Sequence, residues 1–138
     1  MANRGRDILM SVPLFSELSK RHVKRVADVM EEERYHEGAS IVREGEEGDS
    51  MYVLVEGQAD VVRDDRTVDR LLPGDFFGEI SLLDGGPRTA TIVADTPITV
   101  LAIRRDPFNR MLTQEPEIAV KILTALARRL RFMMRRQR

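Results

Sequence analysis

Apolar and polar positions change their period twice along the chain. From Ser19 to about Met30, Val23, Val26, Ala27 and Met30 recur at helical spacing while Lys20, Arg21, Lys24 and Arg25 take the other face, which predicts an amphipathic helix with Ser19 as N-cap. From Tyr35 to Ile103 the helical period gives way to short β-branched runs: Ser40 to Val42, Met51 to Val55, Ala59 to Arg63, Thr67 to Leu72, Thr89 to Ala94 and Ile98 to Ile103. Turn residues separate these runs roughly every 8 to 12 positions. Gly38, Gly45, Gly48, Gly57 and Gly74 fall between runs, where a turn can demand the positive φ that suits glycine, and Pro73-Gly74 and Thr96-Pro97 mark turns as well. After Arg104 the helical period returns. Asp106-Pro107 opens a segment reaching about Thr113, Pro116 interrupts it, and a longer helix follows from Glu117.

The expected fold class is therefore α+β: a jelly-roll-like β-roll over residues 35–103, preceded by a helical segment over 1–34 and followed by two C-terminal helices over 104–138, all in one domain. A chain of this length buries roughly two thirds of its unfolded surface, enough for a core without covalent staples.

Composition narrows the function. The chain has no cysteine, which excludes disulfides, thiolate metal sites and cysteine nucleophiles. Its two histidines, His22 and His36, have no metal-ligand neighbour at HExxH or HxH spacing, and they read as ordinary polar residues. The acidic loop from Glu44 to Asp49 lacks the ligand spacing of a calcium loop and reads as a solvated turn. Binding is favoured over catalysis, with no metal and no resident cofactor expected. The apolar run near the N-terminus is too short for a signal peptide and no membrane-length apolar stretch follows, so the expectation is a cytoplasmic protein without a membrane partner. Net charge is −1, and although Lys121, Arg128, Arg129, Arg131, Arg135, Arg136 and Arg138 crowd the tail, they read as a solvated helix end rather than a nucleic-acid surface.

One interruption of the β pattern carries chemistry. The stretch from Pro73 to Arg88 is too long for a hairpin turn and has a helix-compatible centre from Glu79 to Leu83. Gly78 precedes that turn of helix, and the first amides, near Ile80 and Ser81, lack intrahelical acceptors and suit an anion. Arg88 can grip two oxygens of a phosphate in a bidentate fork. Glu79 would repel a phosphate, and it fits if the ligand also presents a hydroxyl donor such as a ribose 2′-OH while an arginine partly neutralises the carboxylate. The bland alternative is a structural ion pair of Arg88 and Glu79 bridging loop and strand, with Thr89 a plain strand residue. Ser81 sits in Gly-Glu-Ile-Ser-Leu, not in a Gly-x-Ser-x-Gly elbow, which argues against a nucleophile.

The run from Phe77 to Thr91, FGEISLLDGGPRTAT, resembles the phosphate-binding cassette of cyclic nucleotide-binding domains, the module of catabolite-activator-type regulators, cyclic-nucleotide-dependent kinases and cyclic-nucleotide-gated channels. Glu44-Gly45, Gly48-Asp49, Tyr52, Gly57 and Pro73-Gly74-Asp75 resemble that family's strand and turn pattern, so the likeness covers roughly residues 10–135. The resemblance implies that Arg88 pairs with the cyclic phosphate, that Glu79 accepts from the 2′-OH, and that the amides of Ser81 and Thr89 complete the cage. It implies that Gly78 lets the sugar approach the backbone, with Phe77, Ile80 and Ala90 in the same cassette. Val61 and Leu71 would line the base pocket and the final helix would cover the base. At the places where activator-type members carry hydroxyl residues that meet adenine stand Met133 and Met134, which implies an apolar lid. Arg129, in Ala-Arg-Arg-Leu, would approach and neutralise Glu79. The implied ligand is cAMP, with cGMP open through Thr89.

On the last helix Ala119, Leu123, Leu126, Leu130 and Met133 recur at alternating spacings of four and three, a seam that suits either a homodimer or packing on the chain's own β-roll. Activator-type relatives continue into a helix-turn-helix, so the chain is expected to act through an unidentified effector protein or to be the regulatory module of a longer one. Two other functional classes compete. One is a degenerate β-roll used for protein interaction or dimerisation; the other, a small β-roll enzyme, would need a bound metal.

Overall fold

The computed structural model describes residues 7–136. In chain order the main elements are α1 (Lys20–Asp28), β1 (Glu31–Tyr35), β2 (Ser40–Val42), β3 (Ser50–Glu56), β4 (Ala59–Arg63), β5 (Arg66–Leu71), β6 (Phe76–Phe77), α2 (Glu79–Asp84), β7 (Thr91–Ala94), β8 (Ile98–Arg104), α3 (Arg105–Gln114) and α4 (Pro116–Arg136). Residues 7–10 are helical and Pro13–Phe15 form a 3-10 turn. They divide into two compact units, one from Met30 to Pro107 and one joining the segment up to Val29 with that from Phe108 onward.

The first unit is an antiparallel β-roll of two four-stranded sheets, ordered β1-β8-β3-β6 and β2-β7-β4-β5. That alternation of strands between sheets is the jelly-roll winding expected from the evenly spaced short runs. Period-2 alternation sends Tyr52, Leu54, Ile98, Val100 and Ala102 from one sheet and Val42, Ala59, Leu71, Ile92 and Ala94 from the other into a shared core. β3 is the most enclosed strand, buried at every position before Glu56, whereas the edge strand β5 is exposed until Leu71.

Two boundaries differ from the sequence expectation. The segment Glu31–Tyr35, placed in the helical region, is strand β1, paired along β8 from Glu31 opposite Ala102 to Tyr35 opposite Ile98. Its polar run has no apolar alternation, and it is the partner strand that fixes it. Thr89 and Ala90, expected to begin a strand, form a bend, and β7 starts at Thr91. The backbone of Arg88 is already committed elsewhere, donating to Glu46 O at 2.8 Å and accepting from Gly45 N at 2.9 Å.

In the helical unit Ser19 caps α1 as expected, its Oγ accepting from the His22 amide at 3.2 Å. Buried residues include Leu14, Phe15, Val23, Val26, Phe108, Met111, Ile118, Ile122 and Ala125. Arg25 joins α1 to the end of α3, donating to Gln114 Oε1 at 2.7 Å and lying 3.1 Å from Glu115, and Arg128 of α4 pairs with Glu17. No helix of the described residues is long and apolar enough to cross a membrane.

Candidate functional site

β6 ends in Phe77, and Gly78 follows with φ 87°, a left-handed conformation that turns the chain from strand into the six-residue helix α2. A second left-handed glycine, Gly85, ends that helix, and Ser81, 3% exposed, donates from Oγ to Gly86 O at 3.0 Å and fixes the return loop. The loop delivers Arg88 back towards the start of α2. Between them lies a pocket with about 350 Å³ of empty space counted to its open mouth, lined by Val42, Phe77, Gly78, Glu79, Ile80, Ser81, Arg88, Thr89, Ala90 and Ile92.

All eight cassette residues singled out in the sequence therefore meet around one cavity. Phe77 and Ala90 are buried, Glu79 is half-buried, and Ile80 and Thr89 are exposed at the rim. Leu82 makes the first intrahelical bond, to Gly78 O at 3.1 Å, so the amides of Ile80 and Ser81 precede it. Val61 stands opposite Ile92 across β4 and β7, adjacent to the lining. Leu71, 8% exposed, packs into the inter-sheet core and is not among the lining residues. Arg129, Met133 and Met134 lie on α4 in the helical unit, Met133 and Met134 with exposed side chains.

Arg88 dominates the electrostatics. It is 8% exposed, and no carboxylate among the described residues forms an ion pair with it. Its fork lies on Ser50 instead, Nη1 donating to Ser50 O at 2.7 Å and Nη2 to Ser50 Oγ at 3.0 Å, with the Tyr52 ring centroid 5.9 Å from Cζ. Burial pushes the basicity of Arg88 down and Arg104 adds to this, while Tyr52 and Asp49 oppose it. A buried cation with only neutral hydrogen-bond partners is a site that gains from an incoming anion.

Gly48, Ser50 and Arg104, behind Arg88, carry no motif in the sequence that marks them for this role. Gly48 is not in a positive-φ conformation; what it supplies is space, since a Cβ there would stand 2.3 Å from Arg88 Nε. Gly78 meets a similar constraint, its Cβ position being 2.7 Å from both Arg88 Nη1 and Ser50 O. Ser50 and Arg104 are cross-strand partners in β3 and β8, and Tyr52, two residues on, shares their face. Arg104 Nη1 donates to Ser50 Oγ at 3.2 Å and to Tyr52 Oη at 3.3 Å, and its Nη2 pairs with Glu33 of β1. Burial alone would weaken Arg104 as a base, but Tyr52, Glu33 and Asp49 outweigh it and raise its basicity. The sequence signal was a polar residue at each end of otherwise apolar inward registers, legible only once the strands are paired.

Comparison with known proteins agrees with this geometry. Residues 32–115 match the family model described as "Cyclic nucleotide-binding domain". The chain is 40% identical over 108 residues to a cAMP-dependent protein kinase regulatory subunit of Colletotrichum orbiculare, covering 77% of this chain and 28% of that protein. It is 37% identical over 127 residues to a cyclic nucleotide-gated potassium channel of Rhizobium etli, covering 91% of this chain and 36% of the channel. The chain thus spans about a third or less of the curated relatives it matches. The crystal structure of the N-terminal domain of a transcriptional regulator from Streptomyces coelicolor superposes with a TM-score of 0.88 at 33% identity, over 96% of both chains. With the family model covering most of the β-roll and both walls of the pocket, the chain belongs to the cyclic nucleotide-binding domain family.

Proposed function

We propose that the chain is a non-enzymatic sensor that binds one cyclic nucleotide, with cAMP as the favoured ligand, and passes the event on through α4. The observation that carries this is Arg88: a buried guanidinium without a carboxylate partner among the described residues, lining a pocket it shares with Glu79 and the start of α2. Arg88 takes the cyclic phosphate, the amides of Ser81 and Thr89 add donors, and Glu79 accepts from the ribose 2′-OH. A ligand with a diffuse anion and a vicinal hydroxyl uses both the cation and the acceptor. Val61, Ile80 and Ala90 offer apolar surface to the base. Leu71 supports Val61 from the core, and Met133, Met134 and Arg129 serve the same site from α4. Thr89, at the rim, leaves cGMP open; Thr89→Ala is expected to weaken cGMP more than cAMP.

Output runs through α4 to a second copy of the chain or to an effector protein. Ile118, Ile122 and Ala125 take its buried face, leaving Val120, Leu123, Leu130 and Met134 exposed with Ala127 between them, at spacings of three and four. This stripe is rotated from the seam expected from sequence, because Ala119 and Leu126 are partly covered. A β-branched Val120 and a Met134 alternating with Leu123 and Leu130 suit a parallel two-stranded seam. Leu123→Asp should abolish the dimer in sedimentation.

The discriminating experiment is a thermal-shift panel. cAMP is expected to raise the melting temperature in a concentration-dependent way, cGMP less so and AMP not at all. No shift with any of the three would favour a β-roll that serves only protein interaction.

A further inference from the structure

Arg88 meets Ser50 in an unusual way. Ser50 presents two oxygens of one residue, its carbonyl and its Oγ, to the Nη1 and Nη2 of Arg88 at 2.7 and 3.0 Å, much as one edge of a carboxylate would. The Ser50 hydroxyl is itself saturated: it accepts from Arg88 and from Arg104 and donates to Tyr52 Oη at 3.0 Å. A hydroxyl has two acceptor lone pairs and one proton, so this hydroxyl has no freedom left to rotate. Arg104 is fixed in turn by Glu33, whose other oxygen accepts from Tyr35 Oη at 2.7 Å. Ser50 is 1% exposed, so solvent does not compete for these bonds.

We propose that Ser50, braced by Arg104 and Glu33, is a positioning residue that occupies the Nη1/Nη2 edge of Arg88 and leaves the Nε/Nη2 edge as the one that grips the ligand's anion. No hydrogen bond among the described residues takes the Nε proton, and Arg88 lines the pocket beside the start of α2. A guanidinium fork grips a phosphate through two parallel donors, so which edge is presented decides which pair of phosphate oxygens is held. The inference rests on the cyclic-nucleotide reading for its ligand, but the restraint on Arg88 is a property of the ligand-free chain.

The test has two arms. In the first, the Sp and Rp phosphorothioate diastereomers of cAMP, in which sulfur replaces one or the other exocyclic oxygen, are titrated into wild type, Ser50→Ala, Ser50→Thr and Arg104→Lys. Wild type is expected to prefer one diastereomer. Ser50→Ala should lose about tenfold in cAMP affinity, as expected for a hydrogen bond to a charged group, and should reduce the diastereomer preference at least threefold. Ser50→Thr, which keeps the Oγ, restores both. Arg104→Lys, at a position 39% exposed and so tolerant of change, shifts the preference in the same direction as Ser50→Ala. Equal weakening of both diastereomers, or no weakening, would overturn the positioning role while leaving the cyclic-nucleotide reading intact.

The second arm needs no ligand. The side-chain Nη groups of Arg88 should give resolved, slowly rotating NMR signals in wild type and averaged ones in Ser50→Ala. If wild type binds no cyclic nucleotide, the functional reading fails and this arm alone decides the restraint. Averaged signals already in wild type would overturn it.

Discussion

Gly48 and Arg88 occupy a space that admits only one side chain: a Cβ on Gly48 would lie 2.3 Å from Nε, 2.5 Å from Cζ and 2.8 Å from Cδ of Arg88. Because Arg88 is hydrogen-bonded at both Nη atoms and buried, it cannot retreat without breaking those bonds. Gly48→Ala is therefore expected to cost about 1–3 kcal/mol in urea denaturation, the range for overpacking a closed site, and to weaken cAMP binding as well. Gly78→Ala should cost more, because it adds a left-handed backbone to a 2.7 Å contact. Wild-type stability in Gly48→Ala would mean that Arg88 does not rest where the structure puts it.

Glu79 has an acceptor-only side chain beside an anion site, where a hydroxyl donor on the ligand suits it. Replacing the ribose of cAMP by 2′-deoxyribose should cost wild type about tenfold or more in affinity and matter little in Glu79→Ala. Equal discrimination of the two sugars by both proteins would give Glu79 another role.

The β4–β5 hairpin turns through Asp64 and Asp65 with φ of 51° and 62°, both left-handed. This is the backbone of the tight turn that matches strand twist, made here without glycine. Asp tolerates the conformation better than most residues, and a β-branched side chain does not. Asp65→Val is expected to lower stability by about 1–2 kcal/mol, while Asp65→Gly leaves it unchanged or slightly higher. Thermal melts of the two variants check the contrast.

Tyr35 is one of two tyrosines, and burial, followed by its hydrogen bond to the Glu33 carboxylate, raises its pKa well above the ordinary value of about 10. The folded chain then keeps a proton that the unfolded chain releases. The associated stability is complete below pH about 10 and is lost as pH climbs from there towards the folded-state value. An ultraviolet titration should show the Tyr35 phenolate appearing only together with alkaline unfolding, and that increment should be missing in Tyr35→Phe. Ionisation of Tyr35 near its ordinary value in the folded protein would contradict the burial.

The sequence made the cassette legible because its glycines, Glu79 and Arg88 are local: a turn, a helix start and a cation within one segment. The jelly-roll winding was legible for a similar reason, since turn residues punctuate β-branched runs. β1 was not, because Glu31–Tyr35 has no apolar alternation and becomes a strand through pairing with β8. The bracing of Arg88 was hidden for a related reason. Glu33, Ser50 and Arg104 lie far apart in sequence and meet only through the registers of β1, β3 and β8. Gly48 stands out in the sequence as a turn glycine, but what it supplies is room for a guanidinium and not a positive φ.

The central claim is that Arg88 is the anion-binding group of a cyclic-nucleotide site. Calorimetric titration of cAMP into wild type and Arg88→Ala, with melts to confirm that both are folded, tests it most directly. Wild type should bind one cAMP per chain, and the variant should lose at least roughly thirtyfold in affinity, the loss for removing one partner of a desolvated charge pair. Equal affinity in the two proteins would contradict the assignment.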